Sequence, residues 1–145
     1  MRTLRFLDVN IFIYAYYKPG RELTEHEETL KNLAKEIVGK ISEGKEDVMT
    51  TVVHLSEMTN ILKHGMSLDE LHETVFGFLT FDNVETIGVS KEDYSAATEL
   101  GMELGLDPND ALAVQVMRLH NINEIYSFDK DFEKVKGITR LPSIK

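Results

Sequence analysis

The sequence predicts an α/β domain with a mainly parallel sheet, and three observations carry that prediction. Short apolar runs bounded by turn residues, such as Phe6-Leu7 and the stretches 84–89 and 122–127, read as buried strands. Between them lie longer stretches whose apolar residues recur at helical spacing. Capping residues open these stretches and glycines close them. Strands that alternate with helices need crossover connections, and crossovers make neighbouring strands parallel.

Each element has its own justification. Residues 5–14 form an apolar run broken by one carboxylate, Asp8, and read as a strand entering a short helix over 11–17, ended by Pro19-Gly20. Thr24 and Glu27 make a capping box for a long amphipathic helix carrying Leu30, Leu33, Ala34, Ile37, Val38 and Ile41, which stops near Ser42-Glu43-Gly44. Residues 47–50 are short enough to be an edge strand only. Thr50 or Thr51 caps the next helix, with Val53, Leu55, Met58, Ile61 and Leu62, closed at Gly65. Ser67 and Glu70 open a helix whose buried stripe is Leu68, Leu71, Val75, Phe78 and Leu79, and Asp82-Asn83 turns the chain into the strand at 84–89. The cap at 90–93 starts a helix with the stripe Tyr94, Ala97, Leu100 and Leu104, ended by Gly105. A helix from Asp110 to about His120, the strand at 122–127 and a last short strand at 138–141 complete the order.

Length and composition bound the function. At 145 residues the chain fits one domain, 1–145, with a single core. The absence of Cys removes disulfides and thiolate zinc sites and suits a reducing cytoplasm. The apolar stretch at the N-terminus meets Asp8 too early for a signal peptide, and no segment is long enough to span a bilayer. With 25 acidic against 16 basic residues, a net charge of −9 argues against a protein that coats nucleic acid by charge alone. A nuclease is compatible with it, because a divalent ion in a carboxylate site reverses the local field that a phosphate meets.

Four acids stand in unusual places. An unpaired carboxylate in the apolar run would cost several kcal/mol, roughly, so Asp8 needs a balancing charge, and a strand end facing a metal-filled crevice supplies one. Glu57 has Val53 and Ile61 as its helical neighbours and so lies on an apolar face. Asp110 precedes Ala111-Leu112-Ala113-Val114, and if Asp107 or Asn109 is the helix cap, Asp110 is left to face a ligand. Asp129 follows the strand ending at Ser127, with Asp131 two residues on. Each alone has an ordinary explanation: a carboxylate at the edge of a stripe, a helix-dipole partner, a turn residue. Together they weaken those explanations, because three are expected at strand ends or helix starts that line one edge of a parallel sheet and the fourth, Glu57, is on an apolar helix face. Carboxylates that converge in one pocket raise one another's pKa unless a cation is present, and Mg²⁺ or Mn²⁺ with oxygen ligands is the usual answer in phosphate chemistry.

Phe6-Leu7-Asp8-Val9-Asn10-Ile11, Leu55-Ser56-Glu57-Met58, Asn109-Asp110-Ala111-Leu112-Ala113 and Ser127-Phe128-Asp129-Lys130-Asp131-Phe132, taken in order, resemble the PIN-domain nucleases across nearly the whole chain. In size the chain is most similar to the VapC-type toxins of toxin–antitoxin pairs. The resemblance implies a PIN-like, three-layer α/β/α fold and a Mg²⁺- or Mn²⁺-dependent endoribonuclease that leaves a 5′-phosphate and a 3′-hydroxyl. It implies Asp8, Glu57, Asp110 and Asp129 as the catalytic acids, metal ligands from Asp8, Asp110 and either or both of Asp129 and Asp131, and Asn10 and Ser127 as supporting polar groups. It also implies an RNA substrate, an antitoxin whose amphipathic segment brings a basic residue into the acidic pocket, and a homodimer. Phe12, Tyr16 and Tyr17, with parts of the 30–41 helix, read as the exposed apolar surface for that dimer.

Two rival classes remain in view. A catalytically silent RNA-binding or adaptor protein would keep the fold without turnover. A different Mg²⁺-dependent phosphoryl enzyme would usually carry adjacent acids or Asp-x-Asp at the first strand, where Asp8-Val9-Asn10 supplies one acid. His54, one helical turn before Glu57, reads as surface or hydrogen-bonded core more readily than as a ligand. Lys130, Lys134, Lys136, Arg140 and Lys145 read either as a strip for backbone phosphates or as solvated surface.

Overall fold

In a computed structural model, which describes residues 2–16 and 19–143, five strands form one sheet in the order β3-β2-β1-β4-β5. The strands are β1 (Leu4–Leu7), β2 (Asp47–Thr51), β3 (Val84–Ile87), β4 (Glu124–Tyr126) and β5 (Thr139–Leu141). Every pairing is parallel. The helices are α1 (Val9–Tyr16), α2 (Glu25–Ser42), α3 (Val52–Leu62), α4 (Leu68–Thr80), α5 (Lys91–Leu104) and α6 (Pro108–Leu119), with a 3-10 turn at Lys130–Lys134.

Alternation along the central strands divides the core in two. Leu7, Val48 and Tyr126 face a cluster containing Phe12, Ile37, Ile41, Leu55 and Phe78 from α1 to α4. Their neighbours Phe6, Met49 and Ile125 face the other way, onto Ala97, Leu112, Val116 and Met117 of α5 and α6. Because successive strand side chains point to opposite faces, one central sheet buries both helix layers, which is the α/β/α architecture. The strand order reverses at β1, with β2 on one side and β4 on the other, and such a switch point opens a crevice at the carboxyl ends. Asp8 stands at that crevice.

Several local expectations change. β2 is interior rather than an edge, paired to β1 and β3, because four of its five residues are buried and need cover on both sides. Phe12 is buried, packed edge-on to Phe78 at 4.8 Å and beside Tyr16 at 5.1 Å, so it belongs to the core and not to the expected patch; Tyr16 is exposed, and Tyr17 lies outside the described residues. On α4, Leu68 and Leu79 are exposed while Leu71 and Phe78 are buried, since a helix lying against one layer can bury only one narrow stripe. α6 begins at Pro108 instead of Asp110: Asp107 caps it, and proline suits the first helical position. Among the described residues, no helix is long and apolar enough to cross a membrane.

Candidate active site

Parallel pairing of Leu7 with Tyr126 brings the residues that follow β1 and β4 side by side. Asp8 N–H donates to the Tyr126 carbonyl at 2.9 Å, and the Ser127 hydroxyl donates to Asp8 Oδ2 at 2.7 Å. Ser127 is fully buried and also accepts from the Asp129 N–H at 3.0 Å and, at 3.4 Å, from Asn10 Nδ2. Asn10 Oδ1 accepts from the Phe128 N–H at 3.2 Å. One hydroxyl thus orients the first acid and fixes the loop that carries the last ones. Burial pushes the Asp8 carboxyl up to about 6; the Ser127 and Asn10 hydrogen bonds offset part of this, and the charges of Glu57 and Asp129 add to it.

The remaining acids arrive on helix starts and turns. The Asp107 side chain accepts from the Asp110 N–H at 2.8 Å, so the capping role falls to Asp107 and the half-buried Asp110 carboxyl faces the crevice. Burial holds it well above the usual carboxylate range, helped by the charges of Asp107, Asp8 and Asp129 and by a hydrogen bond with the Asp129 carboxyl. Asp129 Oδ1 accepts from the Asp131 N–H at 2.9 Å, so Asp129, and not Asp131, caps the 3-10 turn. The reason is geometric: an aspartate caps the residue two or three places ahead of it, and the turn begins immediately after Asp129.

Asp110, Asp129 and Asp131 offer carboxylate oxygens that all lie within 4.8 Å of one another. Asp8 and Glu57 stand outside this tight trio but close enough for their charges to act across the crevice. The donor set is entirely carboxylate oxygen, and two of its members share a hydrogen bond that needs a proton. Both facts fit a hard divalent cation of the Mg²⁺ or Mn²⁺ type, whose charge would replace that proton.

Glu57 is held from the opposite side. Asn109 Nδ2 donates to Glu57 Oε2 at 2.6 Å, and the Tyr94 hydroxyl donates to Asn109 Oδ1 at 2.6 Å. The His54 ring bridges Thr51 Oγ1 at 2.7 Å and the Asn109 carbonyl at 3.1 Å. A carbonyl only accepts, so Nε2 carries the proton and Nδ1 takes the Thr51 hydroxyl. Burial lowers the ring to about 4 and keeps it neutral, which makes His54 a hydrogen-bonded core residue. Arg140, in contrast, departs from both readings of the basic strip: it is buried, paired to Glu133 at 2.6 Å and donating to the Ser127 carbonyl at 3.1 Å, so it braces the loop instead of meeting phosphates or solvent. Lys130, Lys134 and Lys136 are exposed, and Lys145 lies outside the described residues.

Sequence reasoning missed two of these roles. Asn109 was a rival cap and Tyr94 a stripe residue; neither pattern signals a contact between α3, α5 and the start of α6, which only the packed helices create.

A doubly wound parallel sheet with carboxylates gathered at its switch point defines a class of α/β proteins built around an acidic site. The family model for the PIN domain matches residues 5–138, and the chain belongs to that family. It is 27% identical to ribonuclease VapC6 of Methanocaldococcus jannaschii over 79 residues, 54% of this chain, and spans about half the length (52%) of that relative. Its fold is similar to that of Mycobacterium tuberculosis VapC20, a sarcin-ricin loop cleaving toxin, with a TM-score of 0.64 at 22% identity over 90% of this chain and 93% of that one. It is also similar to Rickettsia felis VapBC2, solved bound to a promoter DNA fragment, with a TM-score of 0.60 at 16% identity over 95% and 97% of the two chains.

Proposed function

We propose that this chain is a single PIN domain acting as a metal-dependent endoribonuclease, the toxin of a toxin–antitoxin pair in the reducing cytoplasm. The observation that carries the proposal is the buried Asp8, tied through Ser127 to the loop of Asp129 and Asp131, which form a tight trio with Asp110 of α6. Asp110, Asp129 and Asp131 would hold Mg²⁺ or Mn²⁺, with Asp8 adding charge directly or through water. When bound, such a cation supplies a Lewis acid for in-line displacement at phosphorus and acidifies water. Ser127 and Asn10 keep the Asp8 carboxylate and the Asp129 loop in register. Glu57, anchored through Oε2 by Asn109, would bind metal or orient the attacking water. Kinship to VapC proteins supports the RNA substrate and an antitoxin partner; the homodimer is part of the same proposal and rests on the exposed apolar surface. The test is cleavage of an RNA panel with Mg²⁺ or Mn²⁺ beside an Asp8→Asn control. Metal-stimulated cleavage lost in the variant supports the reading; RNA binding without cleavage by the wild type supports an adaptor instead.

A further inference from the structure

We propose that the groove beside Glu57, between α3 and the junction of α5 with α6, is a subsite for one unpaired nucleobase of RNA flanking the phosphate at the acidic cluster. This inference rests on the ribonuclease reading and adds a position where substrate sequence is read.

The groove has a volume of about 410 Å³, and its walls include Val52, Ser56, Asn60, Tyr94 and Asn109. Val52 and Tyr94, from two different helices, are 44% and 37% exposed, and together they offer apolar and aromatic surface for the face of a base. Unpaired bases are held in this way, by stacking on aromatic side chains with hydrogen bonds to their edges. The Tyr94 ring is already oriented, because its hydroxyl is fixed on Asn109. Val52, Ser56 and Asn60 follow at intervals of four residues and form one row on α3, so the polar pair lies along the same wall as Val52. Ser56 and Asn60 are exposed, and among the described residues neither commits its side chain to a hydrogen bond with the protein.

Charge selects the part of RNA that fits. Among the described residues no basic side chain lines the groove, and its one carboxylate is Glu57. A phosphate would be repelled, whereas a neutral base with donors and acceptors along its edge is not. The groove is linked to the acidic cluster through two covalent neighbours: Asn109, on its wall, holds Glu57, and Asp110, the next residue, belongs to the trio. A phosphate at the trio therefore brings an adjacent base to the groove mouth.

Short RNA strands carrying an abasic residue on either side of the cleavage site test this, with Mn²⁺ present. In the wild type an abasic residue at one flanking position should lower kcat/KM about tenfold or more, the range of one lost stacking contact. Tyr94→Ala should abolish that penalty, Tyr94→Phe should keep it, and Asn60→Ala should change the ranking of the four bases at that position. Binding of the same strands to the Asp8→Asn protein, followed by fluorescence anisotropy, should show the same pattern without turnover. Wild-type cleavage with an abasic penalty undiminished in Tyr94→Ala overturns the subsite alone. If Tyr94→Ala fails to fold, an unchanged base ranking in Asn60→Ala, which alters an exposed helix face, overturns it. No Mn²⁺-stimulated cleavage of any RNA by the wild type overturns the ribonuclease reading and the subsite with it.

Discussion

At the scale of single residues, Asp8 links stability to function with a definite sign. Burial raises its folded pKa from 3.8 to about 6, so between those values the folded chain holds a proton that the unfolded chain releases. Its contribution to the stability of the metal-free protein is therefore full below the lower value and is lost as pH rises through the upper one. Two pKa units correspond to at most about 3 kcal/mol. Asp8→Asn should remove this dependence: in urea titrations with chelator it should match the wild type near about pH 4 and exceed it near about pH 7.5. It should also abolish metal-stimulated cleavage, and a variant that cut RNA at the wild-type rate would remove Asp8 from the site. The paired acids of the 3-10 turn give a second test. Asp129 is half-buried, hydrogen-bonded to Asp110 and aligned by Ser127, whereas Asp131 is exposed. Asp129→Asn should weaken Mn²⁺ binding and activity more than Asp131→Asn, with calorimetry beside rate measurements. The reverse order would move the principal ligand to Asp131. Asn can still cap the turn, so the comparison isolates charge from local folding.

At the scale of elements, the position of Asp110 depends on how closely α5 approaches the start of α6. Gly101 makes that approach: a Cβ there would meet the Leu106 carbonyl oxygen at 2.7 Å and the Ala111 Cβ at 3.3 Å. The nearest atom is backbone, which cannot rotate away, so Gly101→Ala must push the two helices apart. We expect a loss of about 1–3 kcal/mol, measured by urea denaturation, together with reduced activity as Asp110 shifts. An unchanged stability would show that the helices have slack at this point. The caps explain why so much at this scale was legible beforehand. Thr24 with Glu27 and Ser90 with Asp93 form capping boxes, Ser67 caps with Glu70 at N3, and Gly105 takes the left-handed conformation expected of a helix stop. These are local hydrogen-bond devices, written within four residues of sequence. The close contact at Gly101 is not local: nothing in a helical stripe shows that a neighbouring helix will need the space of one methyl group.

At the scale of the whole molecule, the parallel α/β fold was legible because alternating strands and capped helices permit few other arrangements. The order of strands was less so. Residues 47–50 looked like an edge because the run is short, yet placing β2 between β1 and β3 is what buries Val48 and Met49 on opposite faces. The same holds for the outer surface. Phe12 was read as part of a contact patch and is core, while α4 turns out to carry an apolar face toward solvent. Leu68, Phe76 and Leu79 are 67%, 68% and 45% exposed, and at 100° per residue they fall within about one quarter of the helix circumference. Exposed apolar residues grouped on one helix face are the surface that the proposed homodimer would cover. A chain of net charge −9 repels its own copies at long range, so association through this face must come from apolar burial and should strengthen as salt screens the charge. Light scattering after size exclusion should show a dimer at micromolar concentration. Phe76→Glu should yield a folded monomer, because the side chain is exposed in the isolated chain and its loss leaves the core intact. A wild type that is monomeric under those conditions, or a dimer unaffected by Phe76→Glu, would place the contact elsewhere or remove it.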